Sequence, residues 1–206
     1  MTKTKFTLFS VLVFLTISCS KTDPAQPDTE NNQGTSQTFK DTRDDQVYNT
    51  VKIGNQIWMK ENLNYSTPTG SLCFDCATYG RLYDWETAMT IAPPGWHLPT
   101  ENEFATLINF LGGEQIAGGK MKTTTGWDMP NLGATNTSGF SALPAGLLPF
   151  NTTSPVNVKR TAIWWNSTVT FDNFINVYAL FYGYDSVTIS KTQKPLMLSV
   201  RCIKDY

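Results

Sequence analysis

"PPGWHLPTENEF", residues Pro93 to Phe104, governs how the chain is assembled, because it holds both a stop and a start. Pro93-Pro94 cannot continue a helix from upstream: proline lacks the N–H and its ring clashes with the preceding turn. Trp96-His97-Leu98 then reads as a short extended run. Thr100 followed three residues later by Glu103 is a capping box, in which the hydroxyl accepts from the third backbone N–H and the carboxylate reaches back to the cap's own N–H. Phe104, Leu107, Ile108 and Leu111 fall on one helical face, and Gly112-Gly113 ends that helix. The stretch is therefore a strand-to-helix junction. His97, the chain's single histidine, has no second histidine, nearby thiol or obvious carboxylate partner with which to build a triad or a metal site. It is expected to be structural, packed or hydrogen-bonded near a helix start.

Upstream, "RLYDWETAMTI" (Arg81–Ile91) spaces Leu82, Trp85, Ala88 and Met89 at helical intervals, which predicts a first amphipathic helix. "QVYNTVKIGNQIWM" (Gln46–Met59) alternates Val47, Asn49, Val51 and Ile53 on one side with Tyr48, Thr50 and Lys52 on the other. It breaks at Gly54-Asn55, a β-hairpin signal. Downstream, "TGWDMPNLGATNTSGFSALPAG" (Thr125–Gly146) crowds Gly, Asn, Thr and Pro, as long ligand-contacting loops do. Strand-like runs follow at Ala162 to Val169, Ile175 to Tyr182, Ser186 to Ser190 and Leu196 to Ile203. The expected class is α+β: two helices, antiparallel sheets and long irregular loops, with no βαβ repetition and no Gly-rich phosphate loop.

The composition fits a globular domain: 206 residues, 40% hydrophobic, 13% aromatic and 16% charged. A net charge of −1 offers no basic stripe, which excludes nucleic acid as a main ligand.

The first residues have the layout of an export signal. Lys3 and Lys5 precede the apolar run Phe6 to Ile17, which ends at Ser18-Cys19. The run is shorter than the roughly 20 apolar residues that a spanning helix needs. "LTISC" resembles the lipobox of bacterial lipoproteins, with leucine four rather than three places before the cysteine. That resemblance makes residues 1–18 a lipoprotein signal peptide and Cys19 the lipid attachment site. Each buried acyl CH₂ contributes about 0.8 kcal/mol, so several chains make a durable anchor. Residues 19–38 are rich in Pro, Gln, Asn, Asp, Ser and Thr and read as a disordered tether. The folded domain is expected to occupy residues 39–206.

"DTRDDQVYNTVKIGNQIWMKENLNY", "YGRLYDWETAM", "PPGWHLPTENEF", "AGGKMK", "SGFSALPAG", "WWNST" and "SVRCIKD" occur in this order from Asp41 to Asp205. They resemble the successive blocks of the Fibrobacter succinogenes major paralogous domain family. The resemblance implies a domain of unassigned molecular function, common in exported and surface lipoproteins of Bacteroidetes-type bacteria. It also implies a fold similar to C-type lectins and to formylglycine-generating enzymes. Family members often carry two cysteines before the "YGRLY" block, which implies a Cys73–Cys76 disulfide. Pairing of Cys202 with one of those two is the alternative. Many members carry a cysteine directly before "PPGWHLP", where this chain has Ala92. Cys-Phe-Asp-Cys also has redox spacing, but is expected to lie in a loop rather than at a helix start after a strand.

A C-type lectin-like fold raises calcium-dependent sugar binding, which needs six to eight oxygen ligands, several of them anionic. "WWNST" offers Trp165 and Asn166 but places Ser167 where such sites carry aspartate, and the "QPD" at Gln26 to Asp28 falls in the tether. No metal or other cofactor is expected. Trp127, Trp164 and Asn166 are the candidate ligand-binding residues, with the indoles stacking on a sugar face. The loops Thr123 to Ser138 and Asn151 to Arg160 would surround the ligand.

The expected function is a non-enzymatic module for binding or adhesion, held on the membrane by its N-terminal lipid at the outer-membrane cell surface, with a glycan or surface protein as partner. The alternatives are a structural or assembly component of the surface layer and a formylglycine-generating-type enzyme. The last needs a reactive cysteine pair near its substrate, and Cys202 lies in a strand-like run. No paired carboxylates, Ser/His/Asp set or histidine cluster offers another catalytic route, and no catalytic residue is assigned.

Overall fold

A computed structural model describes residues 37–169 and 174–206. The signal segment, Cys19 and the tether up to residue 36 lie outside the described residues. The first described element is a strand, β1 (Gln37–Lys40), which pairs antiparallel with β2 (Val47–Ile53). Gln37 and Thr38, expected in the tether, are thus sheet residues. β2 turns at Gly54 (φ +60°) into β3 (Gln56–Met59), the hairpin expected from the alternation. The alternation buries differently from a one-faced strand, however. Tyr48 and Thr50 are buried at the start of β2, and Val51 and Ile53 at its end. Tyr48 belongs to the buried cluster that holds Trp85 and Val177, whereas Val51 and Ile53 belong to the one that holds Phe104 and Leu107. Opposite faces of one strand are covered in turn.

Three short elements follow: β4 (Ser71–Leu72), the one-turn helix α1 (Cys76–Tyr79) and β5 (Leu82–Tyr83). The helix predicted over Arg81–Ile91 shrinks to one turn, α2 (Trp85–Ala88). Leu82 belongs to β5, pairing with both β4 and a C-terminal strand, and sheet pairing overrides the helical spacing. Asp84 marks the switch, because its Oδ1 accepts from Thr87 N at 2.8 Å as an N-cap.

The junction at Pro93–Phe104 forms as its sequence dictates. β6 (Trp96–His97) leads to α3 (Glu101–Phe110), and both capping-box bonds are made: Glu103 N to Thr100 Oγ1 at 3.3 Å, and Thr100 N to Glu103 Oε2 at 2.8 Å. Phe104, Leu107, Ile108 and Leu111 are buried. A further helix, α4 (Glu114–Met121), is missing from the sequence-based expectation; with α1 it raises the described helices from two to four. Its Gly118-Gly119 pair disguises it, since glycine costs about 1 kcal/mol in a helix. The pair is there for contact. A Cβ on Gly118 would lie 2.4 Å from Ser186 O, and one on Gly119 would lie 2.3 Å from Gly133 O.

The remaining strands are β7 (Thr161–Trp164), β8 (Ile175–Phe181), β9 (Val187–Thr192), β10 (Leu198–Ser199) and β11 (Ile203–Lys204). They complete two sheets, of order β1-β2-β3-β11-β6 and β4-β5-β10-β7-β8-β9, antiparallel except for the β10–β7 pair. The single run expected at Leu196–Ile203 is in fact divided between the two sheets. Val200, Arg201 and Cys202 carry the chain across, and all three are fully buried. β7 is buried at every position because both of its faces are covered: Ala162 and Trp164 pack toward α3 and α4, and Ile163 toward Met59 and Trp85. The class is α+β.

Candidate functional site

The residues singled out from sequence for ligand contact lie inside the fold. Trp127 is 8% exposed and Trp164 0%. Trp127 Nε1 donates to Ala142 O at 3.1 Å, and Trp164 Nε1 to Asn62 Oδ1 at 2.9 Å. Asn166 is fully buried; its Nδ2 donates to Asn176 O and its Oδ1 accepts from Thr168 N at 2.7 Å. Neither indole offers a face to a sugar, and Asn166 holds its own loop together. The ligand-binding role expected of these three, with the two indoles stacking on a sugar, is corrected accordingly.

Cys73 and Cys76 form a disulfide with Cα atoms 5.3 Å apart, while Cys202 is a free, buried thiol. The Cys-Phe-Asp-Cys stretch does not lie in a plain loop: it connects β4 to the start of α1. The expectation that His97 lacks carboxylate neighbours is also corrected. Its Nε2 lies 2.9 Å from Glu103 Oε1 and its Nδ1 2.6 Å from Asp205 Oδ1. Among the described residues, no group of three or more His, Cys, Asp or Glu side chains is placed to hold a metal ion.

Two buried cations organise the interior. Arg201 donates through Nη1 to the carbonyls of Met59, Lys60 and Phe140, and through Nε and Nη2 to Asn62 Oδ1 at 3.1 and 2.8 Å. Its guanidinium carbon sits 4.6 Å from the Phe140 ring centroid and 5.8 Å from that of Trp164. Burial pulls its pKa down to about 9. Lys122 Nζ donates to Leu132 O, Phe181 O and Tyr184 O at 2.8, 3.0 and 2.7 Å, and burial lowers its pKa to about 8. Each cation gathers three backbone carbonyls from separate parts of the chain, so both act as structural ties.

Among the described residues, one open feature with ligand dimensions is a groove of about 400 Å³. Its floor is Leu148 and Met197, joined by reciprocal backbone bonds of 3.0 Å between their N–H and C=O groups. One wall is the turn from Pro149 to Thr152, in which Thr152 Oγ1 donates to Pro149 O at 2.9 Å and Asn151 takes a left-handed φ of +59°. That turn lifts Phe150 out of the surface, 65% exposed. Lys194-Pro195-Leu196 also lines the groove. α2 closes one end with Asp84 and Glu86. Lys194 Nζ lies 4.3 Å from the Trp85 ring centroid and 3.9 Å from Glu86 Oε1, a cation resting on an indole beside a carboxylate.

This groove can grip a ligand by an aromatic face, an apolar floor and a polar rim of both charges. Of the two loops expected around a ligand, Asn151 to Arg160 supplies Asn151 and Thr152, while Thr123 to Ser138 supplies nothing. Sequence reasoning missed Phe150, Lys194, Asp84 and Glu86, which come together only in the fold. A signal existed at Phe150: a large aromatic inside "LPFNTTSP", a run of turn formers that cannot bury it locally.

Among protein families, the model described as Fibrobacter succinogenes major domain matches residues 51–204. No curated protein and no solved structure matches the chain.

Proposed function

The chain belongs to the Fibrobacter succinogenes major domain family, and on that premise we propose that it is a non-enzymatic surface binding module that holds a glycan in the groove beside Phe150. One observation carries this reading: a 65% exposed phenylalanine lines one groove together with apolar Leu148 and Met197 and polar Asp84, Glu86, Asn151 and Lys194. Sugars present an apolar C–H face and a ring of hydroxyls. An aromatic platform takes the first, and carboxylate, amide and ammonium groups take the second.

The lipobox-like "LTISC" supports lipid attachment at Cys19 and a place in the outer membrane facing the cell surface. Two mostly antiparallel sheets with helices and long loops support the finer reading of a C-type lectin-like fold, used without the calcium-centred ligand set. The test is binding of the protein to a panel of glycans and matrix proteins with and without a chelator. Glycan binding that survives chelation is the expected outcome, and capture of matrix proteins without any glycan would refute it.

A further inference from the structure

His97 is held between two carboxylates on different parts of the chain. Glu103 comes from the first turn of α3, where its other oxygen, Oε2, accepts from Thr100 N and Oγ1 at 2.8 and 2.9 Å. Asp205 comes from the C-terminal segment, just after β11, and its own N–H donates to Gly95 O at 3.0 Å. β11 pairs with β6 through Ile203↔His97 and Lys204↔Trp96. The imidazole therefore sits where the last strand meets the capping box.

The geometry sets the ring's protonation. An ionised carboxylate only accepts hydrogen bonds, and a neutral imidazole has one N–H. Bonds of 2.6 and 2.9 Å from both ring nitrogens to two carboxylates require both nitrogens to be donors, which is the imidazolium. Loss of that proton leaves one nitrogen lone pair facing a carboxylate oxygen, so one of the two contacts must open. Glu103 is 14% exposed and tied into the helix cap, whereas Asp205 is 53% exposed at the chain end. Asp205 is the contact that gives way.

We propose that His97, clamped by Glu103 and Asp205, is a pH-operated latch that holds the C-terminal segment against the start of α3 while protonated and releases it on deprotonation. Charged neighbours do not overturn the balance. Lys204 is exposed and Glu101 is engaged by Asn176 Nδ2. Partial burial lowers the His97 pKa, but the hydrogen bonds and charges of Asp205 and Glu103 outweigh it and leave the value raised. A raised folded-state pKa gives stability that is full below the unfolded value of about 6.5 and is lost as pH rises through the folded value.

A lone histidine makes the test direct. In the full-length protein, imidazole ¹⁵N shifts are titrated while protection of the Asp205 amide against hydrogen exchange is followed. The latch requires a midpoint above 6.5, both ring nitrogens protonated below it, and a several-fold loss of Asp205 protection across it. Asp205→Asn should lower the midpoint toward the ordinary histidine value, with the fold unchanged by circular dichroism. His97→Gln should make the protection independent of pH. A midpoint at or below 6.5, or Asp205 protection that stays constant through the midpoint, overturns the latch.

Discussion

Arg201 Nη2 donates to Asn62 Oδ1 at 2.8 Å, deep in the crossing between the two sheets, and Trp164 Nε1 reaches the same oxygen at 2.9 Å. One amide oxygen, carried on the segment after β3, thus collects donors from β7 and from the three residues that carry the chain from β10 to β11. A guanidinium is costly to bury, and here its partners are uncharged oxygens supplied by backbone bends and by Asn62. The crossing is consequently specified by polar geometry as well as by apolar contact.

Asn62→Leu keeps the volume but removes the acceptor that Arg201 and Trp164 share. A buried charge deprived of a partner costs about 3–5 kcal/mol. Urea denaturation should show a loss of that order. A loss below about 1 kcal/mol, the size of an ordinary surface change, would contradict the role assigned to the amide.

Gly118→Ala should reverse the usual sign of a helix substitution. In an open helix the change gains about 1 kcal/mol. Here the new methyl would sit 2.4 Å from Ser186 O, a backbone atom just before β9 that cannot swing aside. The expected result is a destabilisation of about 1–3 kcal/mol, read as a fall in Tm by differential scanning calorimetry. An unchanged or raised Tm would mean that α4 does not pack against Ser186.

Lys122 makes stability depend on alkaline pH. Its folded pKa of about 8 lies below the ordinary lysine value of 10.5. Between those two values the unfolded chain binds more protons, so the difference in bound protons is positive and stability rises with pH across the window. Lys122→Met should lose that rise. It should also cost about 1–3 kcal/mol, because the carbonyls of Leu132, Phe181 and Tyr184 lose the ammonium that gathers them. Denaturation midpoints of both proteins from pH 7.5 to 10.5 check this.

Cys202 should be chemically silent. It is fully buried, and burial pushes its thiol pKa up to about 12, whereas reaction requires thiolate and access. Native protein should react with a thiol reagent at Cys202 only as fast as it unfolds, and addition of urea should release the reaction. Rapid modification of Cys202 under native conditions would contradict its placement between Val200 and Ile203.

Much of the architecture was legible where local rules and the fold agree. The Gly54 turn and the Thr100–Glu103 capping box needed no distant partner to be read. Legibility failed where tertiary contact overrode local preference. Leu82 has helical spacing to Trp85, yet it is claimed by strands on both sides. α4 hides behind two glycines whose purpose is contact with Ser186 and Gly133.

The candidate site was less legible still. Trp127 and Trp164 were candidates because an indole face can stack on a sugar, but each indole N–H found an internal acceptor and each ring a core position. Phe150, which is exposed, and the charged rim of Asp84, Glu86 and Lys194 come from three separated segments. Only the Leu148–Met197 pairing and the placement of α2 bring them to one cleft.

The measurement that bears most directly on the account is glycan binding by Phe150→Ala beside wild type, at equal Tm. Phe150 is 65% exposed and supports little of the core, so its loss should leave the fold intact. The groove reading predicts that glycan binding falls by at least about tenfold, the equivalent of 1.4 kcal/mol, while Trp127→Phe leaves it nearly unchanged. Undiminished binding by Phe150→Ala would contradict the groove as the recognition surface.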